Sequence, residues 1–189
     1  MTDNILLVIA QKNFNDIEYS VSKSILEKKK YNISAASLKK EPAYGLSLKV
    51  EPDLTVEESV YKVNDYDAVL IIGGIGCPTL YKKETIQLLN DANKLERIIG
   101  GICLGPTILA KAGILDGKMA TVWKTDEHPD GPKILKEHGA IYSEDPVVID
   151  GNIVTAQGPE YAASFAYLID LKLSERKKNK LKERQTIRF

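Results

Sequence analysis

The segment Ile98-Ile99-Gly100-Gly101-Ile102-Cys103-Leu104-Gly105-Pro106 carries one of the chain's two cysteines where an apolar run stops and a helical pattern begins. A thiol on a sharp strand-to-helix turn is open to reactants, and the free N–H groups at the helix start favour its thiolate. Gly101 and Gly105 flank Cys103 at i−2 and i+2. This is the small-X-nucleophile-X-small pattern of a nucleophile elbow, where flanking side chains would collide. The alternative is a buried structural cysteine.

Two further segments carry residues suited to serve such a thiol. "IIGGIGCP" ends another apolar run in Gly73 and Gly74, whose amides can point at an anion and, with the Leu104 amide, form an oxyanion hole. An ordinary glycine turn is the competing reading. "FNDIEYS" places Glu18 in the first turn of a helix, where Asn15-x-x-Glu18 also fits a capping box. Glu18 thus has two candidate roles, as a cap or as a partner of Cys103. Cys77, three residues past Gly74, is expected near Cys103 as loop packing, the alternative being a resolving thiol.

The elements that would position these residues follow from periodicity. Ile5–Ala10, Tyr31–Ser37, Ala68–Ile72 and Ile98–Ile102 read as strands, the last two as unbroken apolar runs of a buried parallel sheet. Asn15–Lys28, Glu84–Glu96, Pro106–Ala112, Ile134–His138 and Tyr161–Leu173 read as helices. Leu46–Val50, bracketed by Pro42 and Pro52, reads as a short edge strand. "VVIDGNIVTA" reads as a hairpin turning at Asp150-Gly151. The alternation predicts an α/β fold, a mostly parallel sheet with helices on both faces, and chemistry at the carboxyl ends of its strands.

The chain's 189 residues suit one domain, taken as residues 1–174, followed by a basic tail, 175–189. From Lys172 onward eight residues are Lys or Arg, opposed only by Glu175 and Glu183. A solvated helix extension is the plain reading of the tail, and a nucleic-acid or partner contact the sharper one. No apolar periodicity continues past Leu173 beyond isolated Leu181 and Ile187, so removal of residues after Ser174 is expected to leave the fold intact. The 26 basic and 26 acidic residues balance, which argues against a strong field for nucleic acid or membrane. Two cysteines make no disulfide framework, and no stretch has signal-peptide or membrane-spanning character, so a cytoplasmic protein is expected. The two histidines, His128 and His138, and the cysteines lack metal-ligand spacing, and the reading calls for no metal or cofactor.

"AQKNFNDIEYSVSKSIL", "DAVLIIGGIG", "GGICLGPTILAKAGILDGKMAT" and "GPEYAASFAYLI" resemble, in order, the motifs of the PfpI-type intracellular protease family, which includes the Parkinson's-associated deglycase and chaperone. The resemblance covers most of Ile5–Leu171. It implies a flavodoxin-like three-layer sandwich, a homodimer or larger homo-oligomer, and a reactive Cys103. It also implies a protonated Glu18 touching that thiol, with the amides of Gly73, Gly74 and Leu104 as an anion site. Such a Glu18 would donate to the thiolate, and Cys103 is then expected below the free-cysteine value of about 8.5.

The departures narrow the function. The protease branch has a histidine directly after its nucleophile, where this chain has Leu104, and a glutamate just past the glycine pair, which "IGCPT" lacks. The deglycase branch has a histidine where direct spacing puts Val122 or Trp123, so His128 serves only if that loop is displaced. "GICLG" also resembles the elbow of class I glutamine amidotransferases, but their late His-x-Glu pair is replaced by Gln157-Gly158-Pro159-Glu160. The leading expectation is a cofactor-independent thiol enzyme acting on small reactive carbonyls or their adducts, of glyoxalase or deglycase type. The alternative is an oxidative-stress sensor or chaperone using the same cysteine, and a weaker one is a cysteine peptidase.

Overall fold

The computed structural model describes residues 3–125 and 130–186, with side chains through 179. The chain order is β1 (Asn4–Val8), α1 (Asp16–Lys28), β2 (Asn32–Ser37), β3 (Ala43–Tyr44), β4 (Lys49–Val50), β5 (Leu54–Thr55) and α2 (Val56–Tyr61). It continues with β6 (Ala68–Ile71), α3 (Lys83–Lys94), β7 (Ile98–Ile102), α4 (Gly105–Lys111), β8 (Met119–Ala120) and α5 (Asp130–Glu137). β9 (Ile141–Tyr142), β10 (Val147–Asp150), β11 (Ile153–Ala156) and α6 (Ala162–Thr186) complete it.

Seven strands form one sheet in the order β10-β11-β7-β6-β1-β2-β5. All pairings are parallel except the β10–β11 hairpin, which turns at Gly151 with φ 62°. α1 and α6 contact each other on one face, while α2, α3 and α4 form a contiguous layer on the other. Because both faces are covered, β1 and β6 are apolar at nearly every position, and Ile5, Leu6, Leu7, Leu70 and Ile71 are fully buried. Gly100 in β7 lets α6 approach closely, since a Cβ there would stand 2.7 Å from both Phe165 and Leu70. The three adjacent strands β1, β6 and β7 all deliver their carboxyl ends to one edge, and Glu18, Gly73 and Cys103 follow them directly.

One expectation is corrected. Leu46–Val50 is not an edge strand of the sheet. β3 and β4 pair antiparallel in a ribbon of their own, and β5 takes the sheet edge beside β2. The reason is long-range: the Asp16 carboxylate accepts from the N–H groups of Leu46 and Ser47 at 3.1 and 2.7 Å, holding them in the turn between β3 and β4.

The basic stretch is not a loose appendage at its start. α6 runs uninterrupted past Ser174. Arg176 donates to the Leu95 carbonyl at 3.4 Å and lies 3.5 Å from the Asp67 carboxylate. Lys177 pairs with Asp3 at 2.8 Å and lies over the Tyr31 ring. Composition concealed this because the partners come from other layers. Truncation after Ser174 should therefore cost about 1–2 kcal/mol, lowering Tm by ~2–8 °C relative to truncation after Asn179. Equal Tm values for the two truncations would make Arg176 and Lys177 dispensable.

Candidate active site

Cys103 adopts φ 59°, a left-handed conformation that side chains other than glycine rarely take. The backbone holds it there from both sides. The Cys103 N–H donates to the Ala156 carbonyl at 2.9 Å, and the Trp123 N–H donates to the Cys103 carbonyl at 3.0 Å. Gly105 is required by the turn, because a Cβ there would stand 2.6 Å from the Ile71 carbonyl oxygen. The elbow expected from the sequence is present, and its sulfur is only slightly exposed, the residue as a whole at 7%.

Glu18 is fully buried, and its partners decide between its two candidate roles. Asn15 caps α1 as expected, its side-chain oxygen accepting from the N–H groups of Ile17 and Glu18. A complete capping box would return the Glu18 carboxylate to the Asn15 N–H. Instead that N–H donates to the Gly73 carbonyl at 3.0 Å, and the Gly73 N–H donates to Glu18 Oε2 at 2.8 Å. Freed from capping, the carboxyl lies beside the Cys103 side chain, with Oε1 buried and without a hydrogen-bond partner. Gly73 can only be glycine here: a Cβ would stand 2.5 Å from Cys103 Cβ and 2.7 Å from Glu18 Oε2.

The proposed amide trio divides. The Gly74 and Leu104 amides face the Cys103 sulfur, while the Gly73 amide is committed to Glu18. Gly74 needs its own freedom, with φ 103°. Cys77 is completely buried beneath this loop, close enough to Cys103 and Glu18 for their charges to raise its pKa, though burial is the larger cause. His128 lies outside the described residues. His138 is on the exposed end of α5 with Nδ1 against the Ile134 carbonyl, far from any role in the elbow's hydrogen bonds. Val122 is buried, whereas Trp123 reaches the cavity. Among the described residues, no cluster of histidine, cysteine, aspartate and glutamate could hold a metal ion, and no helix is long and apolar enough to cross a membrane.

The electrostatics overturn one expectation. Burial pushes Glu18 up to about 7, against the lowering effect of the Gly73 amide and of the Cys103 side chain beside it. Burial, and then the charge on Glu18, push Cys103 up to about 12, while the amides of Gly74 and Leu104 pull it down. The thiol is therefore not held below the free-cysteine range as the resting state. A lone thiolate in this enclosure loses more hydration than two amides return. What the site holds instead is a thiol beside a carboxyl that titrates near neutrality.

A cavity of about 210 Å³ opens over Cys103, lined by Phe14, Leu46, Ile75, Leu104, Trp123 and Pro159 together with Asn13, Asn15 and Gly74. Sequence reasoning missed part of this wall. It named Asn15, Gly74, Leu104 and, as one of two positions, Trp123, but did not bring Phe14, Leu46 or Ile75 to the site.

Residues 3–170 match the DJ-1/PfpI family. The chain belongs to that family. Protein DJ-1alpha of Drosophila melanogaster is 34% identical over 167 residues, covering 86% of this chain and 74% of that one. The Caenorhabditis elegans protein named glutathione-independent glyoxalase DJR-1.2 is 28% identical, covering 87% of this chain and 85% of its own. The crystal structure of a ThiJ/PfpI domain protein from Brachyspira murdochii superposes with a TM-score of 0.84 at 34% identity, covering 92% of this chain and 98% of that one. The flavodoxin-like sandwich expected from the sequence is the fold of this DJ-1/PfpI chain.

Glu18 gives a signed pH dependence. Its folded pKa, about 7, lies above the ordinary 4.5, so the folded state binds the extra proton between these values. Its contribution is fully present below about 4.5 and is lost as pH rises through 7. Glu18→Gln, which keeps an acceptor for Gly73, should therefore gain stability over wild type between pH 5 and 8, by up to on the order of 3 kcal/mol. Denaturant unfolding at the two pH values checks this. A stability difference independent of pH would return Glu18 to an ordinary carboxylate.

Proposed function

We propose that the chain is a cofactor-independent cysteine enzyme converting small 2-oxoaldehydes to 2-hydroxy acids, or releasing them from adducts, through Cys103 and Glu18. The observation that carries this reading is that Glu18 abandons its capping position to lie against the thiol. The C. elegans relative's name, a glutathione-independent glyoxalase, supports it. The cavity's size does too, since about 210 Å³ falls below the ~300–1,000 Å³ of sites for drug-sized ligands.

The chemistry begins as the sulfur attacks the aldehyde carbon: an S–C bond forms and the carbonyl π bond breaks. Glu18, poised near 7, takes the thiol proton as general base and returns it to the new oxygen, giving a hemithioacetal. The Gly74 and Leu104 amides steady the charge that passes through sulfur and oxygen. Glu18 then removes the proton from the former aldehyde carbon, and the resulting enediol is protonated on the neighbouring carbon. One carbon is oxidised by two electrons and its neighbour reduced by two, leaving a thioester. Water hydrolyses the thioester, releasing the 2-hydroxy acid and the free thiol. With a free 2-oxoaldehyde no step expels an amine, so Leu104 in place of the protease histidine costs that route nothing. It weighs against peptide cleavage.

Redox sensing is the second reading, favoured by the same amide pair, because an oxidised sulfur would accept their hydrogen bonds. Turnover separates the two, as a sensor reacts once and stops. The proposal also has the protein working in the cytoplasm as a homo-oligomer. Purified protein should turn over methylglyoxal to lactate, and Cys103→Ser should abolish this. Glu18→Gln should lower kcat by about 10²–10⁴-fold, the usual worth of a general base. Stoichiometric consumption without turnover would replace the enzyme with the sensor.

A further inference from the structure

We infer that this site selects carbonyl substrates whose substituent is apolar and uncharged, an aryl or branched alkyl group, with Ile75 and Leu46 as the selecting residues. The inference rests on the carbonyl chemistry proposed above but is carried by a separate observation, the composition of the cavity wall. Six of the described lining residues are apolar side chains, and the polar ones, Asn13 and Asn15, are neutral. No lysine, arginine or histidine lines the cavity among the described residues.

Two carboxylates act at the site, while Lys111 acts on Cys77 beneath the loop and Lys124 is engaged by Glu144 and Tyr142. Asp16 holds the Leu46 turn through its carboxylate, and Glu160 acts electrostatically on Glu18. A carboxylate or phosphate on the substrate would lose hydration without gaining a cation from the cavity wall.

Leu46 and Ile75 stand at the mouth and are 84% and 75% exposed. Large aliphatic side chains so exposed in a cavity that holds a thiol gain by covering a substituent. Their placement is enforced rather than accidental. The Asp16 carboxylate fixes the Leu46 turn, and the Gly76 N–H, donating to the Asn13 carbonyl at 3.0 Å, closes the loop that carries Ile75. Phe14, Trp123 and Pro159 complete a slot for one ring or one branched chain. A single methylene in an apolar pocket is worth about 10–200-fold in discrimination. An open mouth places this site near the lower end.

The test compares kcat/KM for phenylglyoxal and 4-carboxyphenylglyoxal, which share a reacting centre and differ in charge at the far end. Wild type should favour phenylglyoxal by at least about ten-fold. Ile75→Ser and Leu46→Ser, both at exposed positions, should each bring that ratio down toward one. A ratio near one in wild type, or one unmoved by both substitutions, overturns the inference. If neither compound is turned over, the carbonyl reading fails, and the selectivity is read by alkylation instead. Cys103 labelling by N-phenylmaleimide and by N-(4-carboxyphenyl)maleimide, each normalised to free cysteine, should then show the same preference and the same loss in the variants. Equal labelling overturns the inference independently.

Discussion

A buried carboxyl that accepts from a backbone amide and lies beside a thiol ties three strands of this fold together. Glu18 comes from the helix after β1, Gly73 from the end of β6 and Cys103 from the end of β7. The reciprocal bonds between Asn15, Gly73 and Glu18 fix where α1 begins relative to the glycine loop. Without a side chain at position 73 the carboxyl and the thiol can meet; with one they cannot. The strained φ of Cys103 is held by β11 on one side and by the Trp123 segment on the other. The sheet thus serves as a frame that brings one acid and one thiol into a space from which water is largely excluded.

That enclosure sets the chemistry. Burial raises both groups, so the resting site holds no preformed thiolate. In the reaction we propose, reactivity comes from a base matched to neutral pH lying against the thiol it must deprotonate. The Gly74 and Leu104 amides then act when charge appears. Stability is given up for this, since ionising Glu18 in the folded state is unfavourable near neutrality.

Much of the frame was legible in the sequence, because β1, β6 and β7 are buried on both faces and read as unbroken apolar runs. The elbow was legible for a steric reason: Gly101 and Gly105 mark places where no Cβ fits. Glu18 was legible only as a choice, since a capping glutamate and a catalytic one share the same local spacing. Its deciding partner, Gly73, lies 55 positions away. The direction of the Cys103 shift was misread because burial is a tertiary property, and the helix-start argument considers only neighbours along the chain. Leu46 was taken into a strand for the same reason, with Asp16 far from it in sequence. The docking of Arg176 and Lys177 is likewise invisible in a run of like charges, whose partners Asp67 and Asp3 lie more than 100 positions away in the chain.

The raised pKa of Glu18 beside Cys103 is most directly tested by a carbon-13 NMR titration of the Glu18 side-chain carboxyl, assigned by comparison with Glu18→Gln. A midpoint near 7 is expected, well above the ordinary 4.5. A midpoint at the ordinary carboxylate value would contradict the enclosure of the pair and, with it, the role of Glu18 as the base for Cys103.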